Sequence, residues 1–308
     1  MRHTIPGIHH VTAIASDPQR NVDFYTGVLG LRLVKRTVNF DDPGTYHLYY
    51  GDSRGTPGSI LTFFPWPGAP RGRQGTGQVV ITSFSTPRGG VEYWANRLSK
   101  HGIAAERNER FEETVLAFDD PDGLRLEIVE HSNSSPVAGE PLLDGFYGAA
   151  LAVEGYERTA LLLGETFGFQ LVAEDSGRSR YQATGRGPAS RVDVLCSPGR
   201  RNGAIGAGTV HHIAWRTPDD SEQQTWRLEL LQAGYNVTPV MDRNYFRSIY
   251  FREPGGVLFE IATDPPGFAV DEPVDELGSS LKLPPWLEKR REALERVLPP
   301  LRIAGHRQ

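Results

Sequence analysis

One cysteine, Cys196, is all the thiol chemistry available to this chain of 308 residues. An internal disulfide is therefore impossible and a thiolate-rich metal site is excluded, so any bound metal must use nitrogen and oxygen ligands. Long apolar runs are also missing. No stretch approaches ~20 continuous hydrophobic residues, the length a membrane-spanning helix requires. The opening Met1-Arg2-His3-Thr4-Ile5-Pro6-Gly7 lacks the apolar core of a secretory signal. Excess positive charge is absent too: 33 Lys and Arg face 38 Asp and Glu, for a formal net charge of -5. No clustered basic face is available for phosphates or an anionic membrane surface. These absences read as a cytoplasmic protein with neither nucleic acid nor membrane as partner. The 38% hydrophobic and 23% charged residues are an ordinary globular composition, enough to bury one or two sizeable cores.

Histidine is scarce but not scattered. Four of the nine form two doublets, His9-His10 and His211-His212, and a glutamate, Glu260, lies in an apolar run near the end of the same region. Two imidazoles and a carboxylate on rigid strands suit a divalent first-row metal that keeps coordination positions open. A strand sends neighbouring side chains to opposite faces, so each doublet offers one ring to an interior and one to a supporting layer. Within each pair the second histidine is the better ligand. His212 shares a face with small Ala214, which leaves room for a metal and a substrate, and the same parity groups His10 with Thr12 and Ile14. His3, His47, His101, His131 and His306 stand alone and read as ordinary core or surface residues.

The chain repeats itself four times. Copy one reads as a strand at Gly7 to Ala15, a helix at Asn21 to Leu29, and strands at Leu31 to Thr37, Thr45 to Tyr50 and Ser59 to Phe64. The order recurs from about Gly77 to Glu130, from Gly145 to Cys196 and from Gly208 to Thr263, with helices at 91–102, 157–168 and 222–234. Each helix ends in a glycine suited to a left-handed cap: Gly30 or Gly27, then Gly102, Gly168 and Gly234. Copies two and four also share a Pro/Gly turn feeding a glutamate-bearing strand, at Glu127 and Glu260. Organisation in sequence is then 5–132 for copies one and two, 143–264 for copies three and four, and 265–308 for a C-terminal tail. That tail carries a charged helix near Trp286 to Val297 with Leu287, Leu294 and Leu298 on one stripe. It is expected to pack across a cup or a neighbouring subunit, as in a homo-oligomer, with Phe268 a candidate for closing a substrate mouth.

Four such units resemble the βαβββ modules of the vicinal oxygen chelate superfamily, which includes glyoxalases, bleomycin-resistance proteins and extradiol ring-cleaving dioxygenases. The resemblance implies an α+β fold in which two modules pair into a cupped mixed sheet around the metal, with ligands on the first and last strand of each partner. First strands offer His10, a residue near Val79, one near Gly148, and His212. Last strands offer an apolar position near Phe63, then Glu127, a position near Cys196, and Glu260. Sequential pairing would leave each cup with two ligands. Pairing module 1 with module 4 unites His10, His212 and Glu260 and leaves modules 2 and 3 to form a second cup. Glu127, its lone candidate, is expected to face solvent or a neighbouring side chain.

The residues His9-His10-Val11-Thr12, Tyr46-His47-Leu48-Tyr49-Tyr50-Gly51-Asp52 and His211-His212-Ile213-Ala214, with a tail containing Leu283-Pro284-Pro285-Trp286, are similar to those of the hydroquinone-type ring-cleaving dioxygenases. That likeness covers nearly the whole chain. It implies an Fe(II) cofactor, with Mn(II) or another divalent metal as the alternative, held by His10, His212 and Glu260. It further implies a small aromatic substrate and O2 as partners. Arg243 and Tyr250 are implied to line the pocket, Arg243 stabilising anionic oxygen and Tyr250 exchanging a proton. His9, Thr12 and His211 are implied to support the ligands or line the pocket. Two other functions remain: a glyoxalase-like lyase or isomerase, which needs a second glutamate in the same cup, and a metal-free aromatic-binding protein of the bleomycin-resistance type.

Overall fold

The computed structural model describes residues 3–130, 140, 142–185 and 189–303; His131 and His306 lie outside them. Strand, helix and three strands recur four times. Module 1 holds β1 (Ile8–Ala15), α1 (Pro18–Val22), β2 (Arg32–Val38), β3 (Tyr46–Gly51) and β4 (Ile60–Pro65). Module 2 holds β5 (Gln78–Thr86), α2 (Gly90–Lys100), β6 (Ala105–Arg110), β7 (Glu113–Asp119) and β8 (Arg125–Glu130). In module 3 these are β9 (Phe146–Val153), α3 (Glu157–Leu161), β10 (Gln170–Asp175), β11 (Arg178–Gln182) and β12 (Arg191–Cys196). Module 4 comprises β13 (Thr209–Thr217), α4 (Asp220–Gln232), β14 (Met241–Asp242), β15 (Arg247–Arg252) and β16 (Leu258–Thr263).

Local chemistry explains where the helices begin and stop. Asp17 accepts from the Arg20 amide and Pro18 supplies a preset φ at the first turn of α1, while Asp219 accepts from the Glu222 amide to open α4. Gly30, Gly102, Gly168 and Gly234, with φ between 68° and 87°, occupy the left-handed conformation just past each helical segment. In modules 1 and 3 the last turn widens to i→i+5 bonding, with the Leu29 amide on the Phe24 carbonyl and the Phe167 amide on Leu162. On α2 and α4 the pairs Trp94/Leu98 and Trp226/Leu230, spaced by four residues, turn one buried stripe onto the sheets.

Two eight-stranded mixed sheets result. One runs β14-β15-β16-β13-β1-β4-β3-β2 and the other β10-β11-β12-β9-β5-β8-β7-β6. Module 1 therefore pairs with module 4, and module 2 with module 3, as the ligand argument requires. Each sheet is joined at its centre by antiparallel first strands, β1 with β13 and β5 with β9. The cups are linked by side chains as well: Tyr25 Oη of module 1 donates to buried Asp120 of module 2 at 3.0 Å, and Ser16 Oγ donates to Asp122 at 2.6 Å.

The central strands depart from regular alternation. The register between β1 and β13 slips between Ile8 and His10 and again between Thr12 and Ala13, opposite His212 and Val210. His9 and His211 are thus the extra residues of two bulges related by the approximate two-fold axis of the cup. The expectation that each doublet divides cleanly between two faces is corrected accordingly: a bulge carries both rings of a doublet into hydrogen-bonding contact. The tail crosses the first cup. Lys35 of β2, fully buried, pairs with Asp271 at 2.5 Å and with Glu272, and lies over the Tyr245 ring. The terminal helix α5 (Arg291–Val297) is shorter than its sequence pattern, but Leu287, Leu294 and Leu298 are buried. Phe268 does not close a mouth. It is buried behind the cup wall, 5.1 Å from the Tyr49 and Tyr245 ring centres.

Candidate metal centre

The two first strands and the last strand of module 4 bring three atoms together. His212 Nε2 lies 2.9 Å from Glu260 Oε2, His10 Nε2 lies 3.3 Å from the same oxygen, and the two nitrogens are 3.4 Å apart. Ligands bound at 2.0–2.2 Å and roughly at right angles would sit about 3 Å from one another. The register explains the convergence: Glu260 is the neighbour of Ala214 on β13, Ala214 faces His10 on β1, and Ala214 has no side chain beyond Cβ to fill the space. Glu260 is fully buried, and among the described residues its Oε2 has no polar neighbour but the two imidazole nitrogens that face it. An ionised carboxylate oxygen left so would cost several kcal/mol, which a divalent cation at this point would offset. Burial opposes the charge on Glu260, yet His10 and His212 hold its pKa well below the ordinary range. The donor set therefore fits a divalent metal held through Nε2, Nε2 and Oε2.

Each candidate ligand is oriented from behind. His9 Nδ1 contacts His10 Nδ1 at 2.9 Å, and His211 Nδ1 contacts His212 Nδ1 at 2.7 Å. A ligand that presents a lone pair at Nε2 carries its proton on Nδ1 and donates it to the neighbour, so the outer ring must be the neutral Nε2–H tautomer. Burial makes that state the stable one, pulling His9 well below the usual imidazole pKa and His211 down to about 3. Glu260 Oε1 accepts from Ser248 Oγ, a partner that sequence reasoning missed. Its only signal is position, two residues before Tyr250 on the adjoining strand.

In front of the triad opens a cavity of about 280 Å³. Phe40, Phe64, Trp66, Phe246 and Leu258 supply its apolar surface. Arg243 and Tyr250 both line it, joined by an Nε to Oη hydrogen bond of 3.2 Å, while Asp41 pairs with the Arg243 guanidinium at 3.0 Å. Burial and the Glu260 charge raise the Tyr250 pKa, keeping its hydroxyl protonated at neutral pH. Thr12 is not on the cavity surface; it accepts from Thr62 Oγ1 at 2.9 Å beneath it. His47, set aside as an isolated residue, in fact lines the cavity beside Tyr49.

Three repeat positions are corrected by the register. The module 1 counterpart of Glu260 is Thr62, paired with Thr12 just as Glu260 pairs with Ala214, and not apolar Phe63. The module 3 counterpart is Asp193, opposite Ala150, rather than a residue near Cys196. On β5 the histidine position falls to Ile81 instead of Val79. Ile81 and Gly148 thus replace both imidazoles in the second cup. Its carboxylates are neutralised by arginines: Arg110 donates both amino groups to Glu127, at 3.0 and 2.6 Å, and Arg178 and Arg180 reach Asp193, each at 2.8 Å. Glu127 is therefore buried and paired, with Ser83 as a further donor at 2.8 Å. Among the described residues, His10, His212 and Glu260 are the one metal-ligating group of this kind.

The family described as the Glyoxalase/Bleomycin resistance protein/Dioxygenase superfamily matches residues 7–128 and 148–261. A Bacillus subtilis (strain 168) protein with the provisional name ring-cleaving dioxygenase MhqO is 49% identical over 304 residues, covering 96% of this chain and 97% of its own. The chlorohydroquinone/hydroquinone 1,2-dioxygenase of Sphingobium indicum (strain DSM 16413 / CCM 7287 / MTCC 6362 / UT26 / NBRC 101211 / UT26S) is 34% identical over 309 residues, covering 96% of each chain. A crystal structure of a provisionally named dioxygenase from Bacillus subtilis subsp. subtilis str. 168 superposes with a TM-score of 0.94 at 48% identity. It covers 99% of this chain and 100% of that one.

Proposed function

The chain belongs to the glyoxalase/bleomycin resistance protein/dioxygenase superfamily, and from that premise we propose that it is an Fe(II)-dependent dioxygenase opening para-diol rings of the hydroquinone type. The observation that carries the reading is the convergence of two imidazole nitrogens and one carboxylate oxygen at the floor of an aromatic-lined cavity. Two neutral donors and one anion leave a divalent cation with net positive charge and open positions. The names of the Bacillus and Sphingobium relatives support ring cleavage, and the latter supports a hydroquinone. Thr62 at the module 1 counterpart of Glu260 disfavours a glyoxalase-type isomerase, because a threonine cannot shuttle protons as a second carboxylate would.

When bound, ferrous iron would supply Lewis acidity toward a phenolic oxygen and a path for electrons between diol and dioxygen. The protein's own groups do the rest. His10, His212 and Glu260 would hold the ion, and His9 and His211 would fix the tautomers of the two imidazoles. Phe40, Phe64, Trp66 and Phe246 exclude water and bind the ring by its apolar faces. Arg243, partly screened by Asp41, stabilises negative charge on a substrate oxygen. Tyr250 Oη accepts from Arg243, so its own proton is free to be donated toward that oxygen. Holding diol and dioxygen at adjoining positions removes the entropic cost of their encounter. In the overall reaction one ring carbon–carbon bond breaks and both atoms of O2 enter the ring-opened acid.

The test is anaerobic loading with Fe(II) followed by oxygen-electrode assays with hydroquinone, substituted hydroquinones and catechol. Hydroquinones are expected to drive the faster uptake, with about one iron per chain. A larger response to catechol would overturn the para-diol assignment. Glu260→Gln is expected to lose both iron and uptake, and full activity in that variant would remove the triad.

A further inference from the structure

The two-fold relation between modules 1 and 4 makes Tyr49 the counterpart of Tyr250: each stands opposite the last-strand residue of its module, Tyr49 facing Thr62 and Tyr250 facing Glu260. By the same register His47 is the counterpart of Ser248. The direction of the hydrogen bonds on the module 1 side can be derived. Thr62 Oγ1 donates its single proton to Thr12 Oγ1 at 2.9 Å. His47 Nε2, 2.7 Å from the same oxygen, must then be the donor, which leaves Nδ1 of a neutral ring as an acceptor. Tyr49 Oη, 2.8 Å from that Nδ1, gives its proton to it. Rings on both sides lock His47 in place, Tyr49 at 4.0 Å and Phe64 at 4.4 Å between centroids. Burial holds the imidazole well below its usual pKa and the Tyr49 phenol well above its own, so both stay neutral at pH 7.

The consequence is a cavity with two unlike polar walls. On the module 4 side Arg243 and Tyr250 have protons to donate. On the module 1 side the proton of Tyr49 is committed inward to His47, so its oxygen offers only lone pairs. A ligand oxygen without a proton gains nothing from that wall, whereas a hydroxyl does. Resting on the para-diol reading above, we infer that Tyr49 Oη accepts a hydrogen bond from the substrate hydroxyl remote from the metal. His47 positions Tyr49 by holding its proton away. The pair would thereby distinguish a diol from a simple phenol.

Anaerobic titration calorimetry of the Fe(II)-loaded full chain with hydroquinone and with phenol tests this without turnover. One neutral hydrogen bond to an otherwise unpartnered oxygen corresponds to roughly tenfold in affinity. Wild type is expected to bind hydroquinone about tenfold more tightly than phenol. Tyr49→Phe, which keeps the ring and its packing, should bind phenol unchanged and lose the preference. His47→Leu should also lose the preference with Tyr49 still present, and thermal unfolding checks that both variants are folded. Retention of the tenfold preference by Tyr49→Phe overturns the inference while leaving the para-diol reading intact. Failure of wild type to bind either ligand overturns that reading, and the inference with it.

Discussion

At the scale of single residues the proposed metal centre is a problem of orientation. Glu260 has two carboxylate oxygens, and only Oε2 faces the histidines; Ser248 Oγ occupies Oε1 and so determines which oxygen is free. Removing a hydrogen-bond partner behind a ligand typically weakens metal binding by about 10–100-fold. Ser248→Ala is accordingly expected to lower Fe(II) affinity within that range, measured by competition with a chromophoric chelator, with activity recovering at excess metal. Unchanged affinity would show that the strand alone orients Glu260. Serine is common in strands, and its meaning here comes only from facing Ala262 beside Glu260 across the β15–β16 ladder, which no local sequence pattern expresses.

At the scale of elements, the wall that carries His47 and Tyr49 is braced by the tail. Phe268 and Tyr245 pack against Tyr49, and Tyr245 Oη donates to Asp271 at 2.9 Å. Asp271 and Glu272 are in turn tied to Lys35, whose side chain has no exposed surface. Breaking a buried ion pair by deleting one partner costs about 3–5 kcal/mol, because the remaining charge stays buried. Lys35→Met should therefore lower the stability measured by urea denaturation by about that amount, and a loss under ~1 kcal/mol would mean the tail contributes little to this wall. The tail's buried leucines were legible from their spacing, although the helix itself covers only Arg291–Val297 and leaves Leu287 and Leu298 just outside it. The Lys35 anchor was not, because lysine in a strand ordinarily signals an exposed edge.

At the scale of the whole molecule the two cups meet through Asp120, which accepts from Tyr25 Oη and from the amides of Asp122 and Leu124. Burial outweighs these donors and raises its pKa to about 6 from 3.8. A carboxyl whose pKa is higher folded than unfolded binds more protons in the native state between those values. Its contribution is fully present below pH 3.8 and is lost as pH rises through about 6. A rise of that size corresponds to roughly 3 kcal/mol. The difference in unfolding free energy between wild type and Asp120→Asn should therefore shift by up to that amount across this window, with wild type losing ground as pH rises. A difference independent of pH from 4 to 7 would show that Asp120 keeps an ordinary pKa.

The chain by itself determined the repeating element order, the helix caps at Gly30, Gly102, Gly168 and Gly234, and the donor types of the candidate ligands His10, His212 and Glu260. Periodicity, left-handed glycines and donor chemistry are properties of short segments. It also constrained the pairing of modules, because only modules 1 and 4 together supply two imidazoles and a carboxylate. What tertiary structure alone decided is which atoms meet. The bulges at His9 and His211 shift residues by one position, and that slip turns a doublet from two faces into one hydrogen-bonded pair. Thr62, Asp193 and Ser248 acquire their places from cross-strand register, and His47 acquires a cavity wall from a strand two removed from the ligands. Register between distant strands is set by the summed packing of both sheets, so these contacts exist only once the cups have closed.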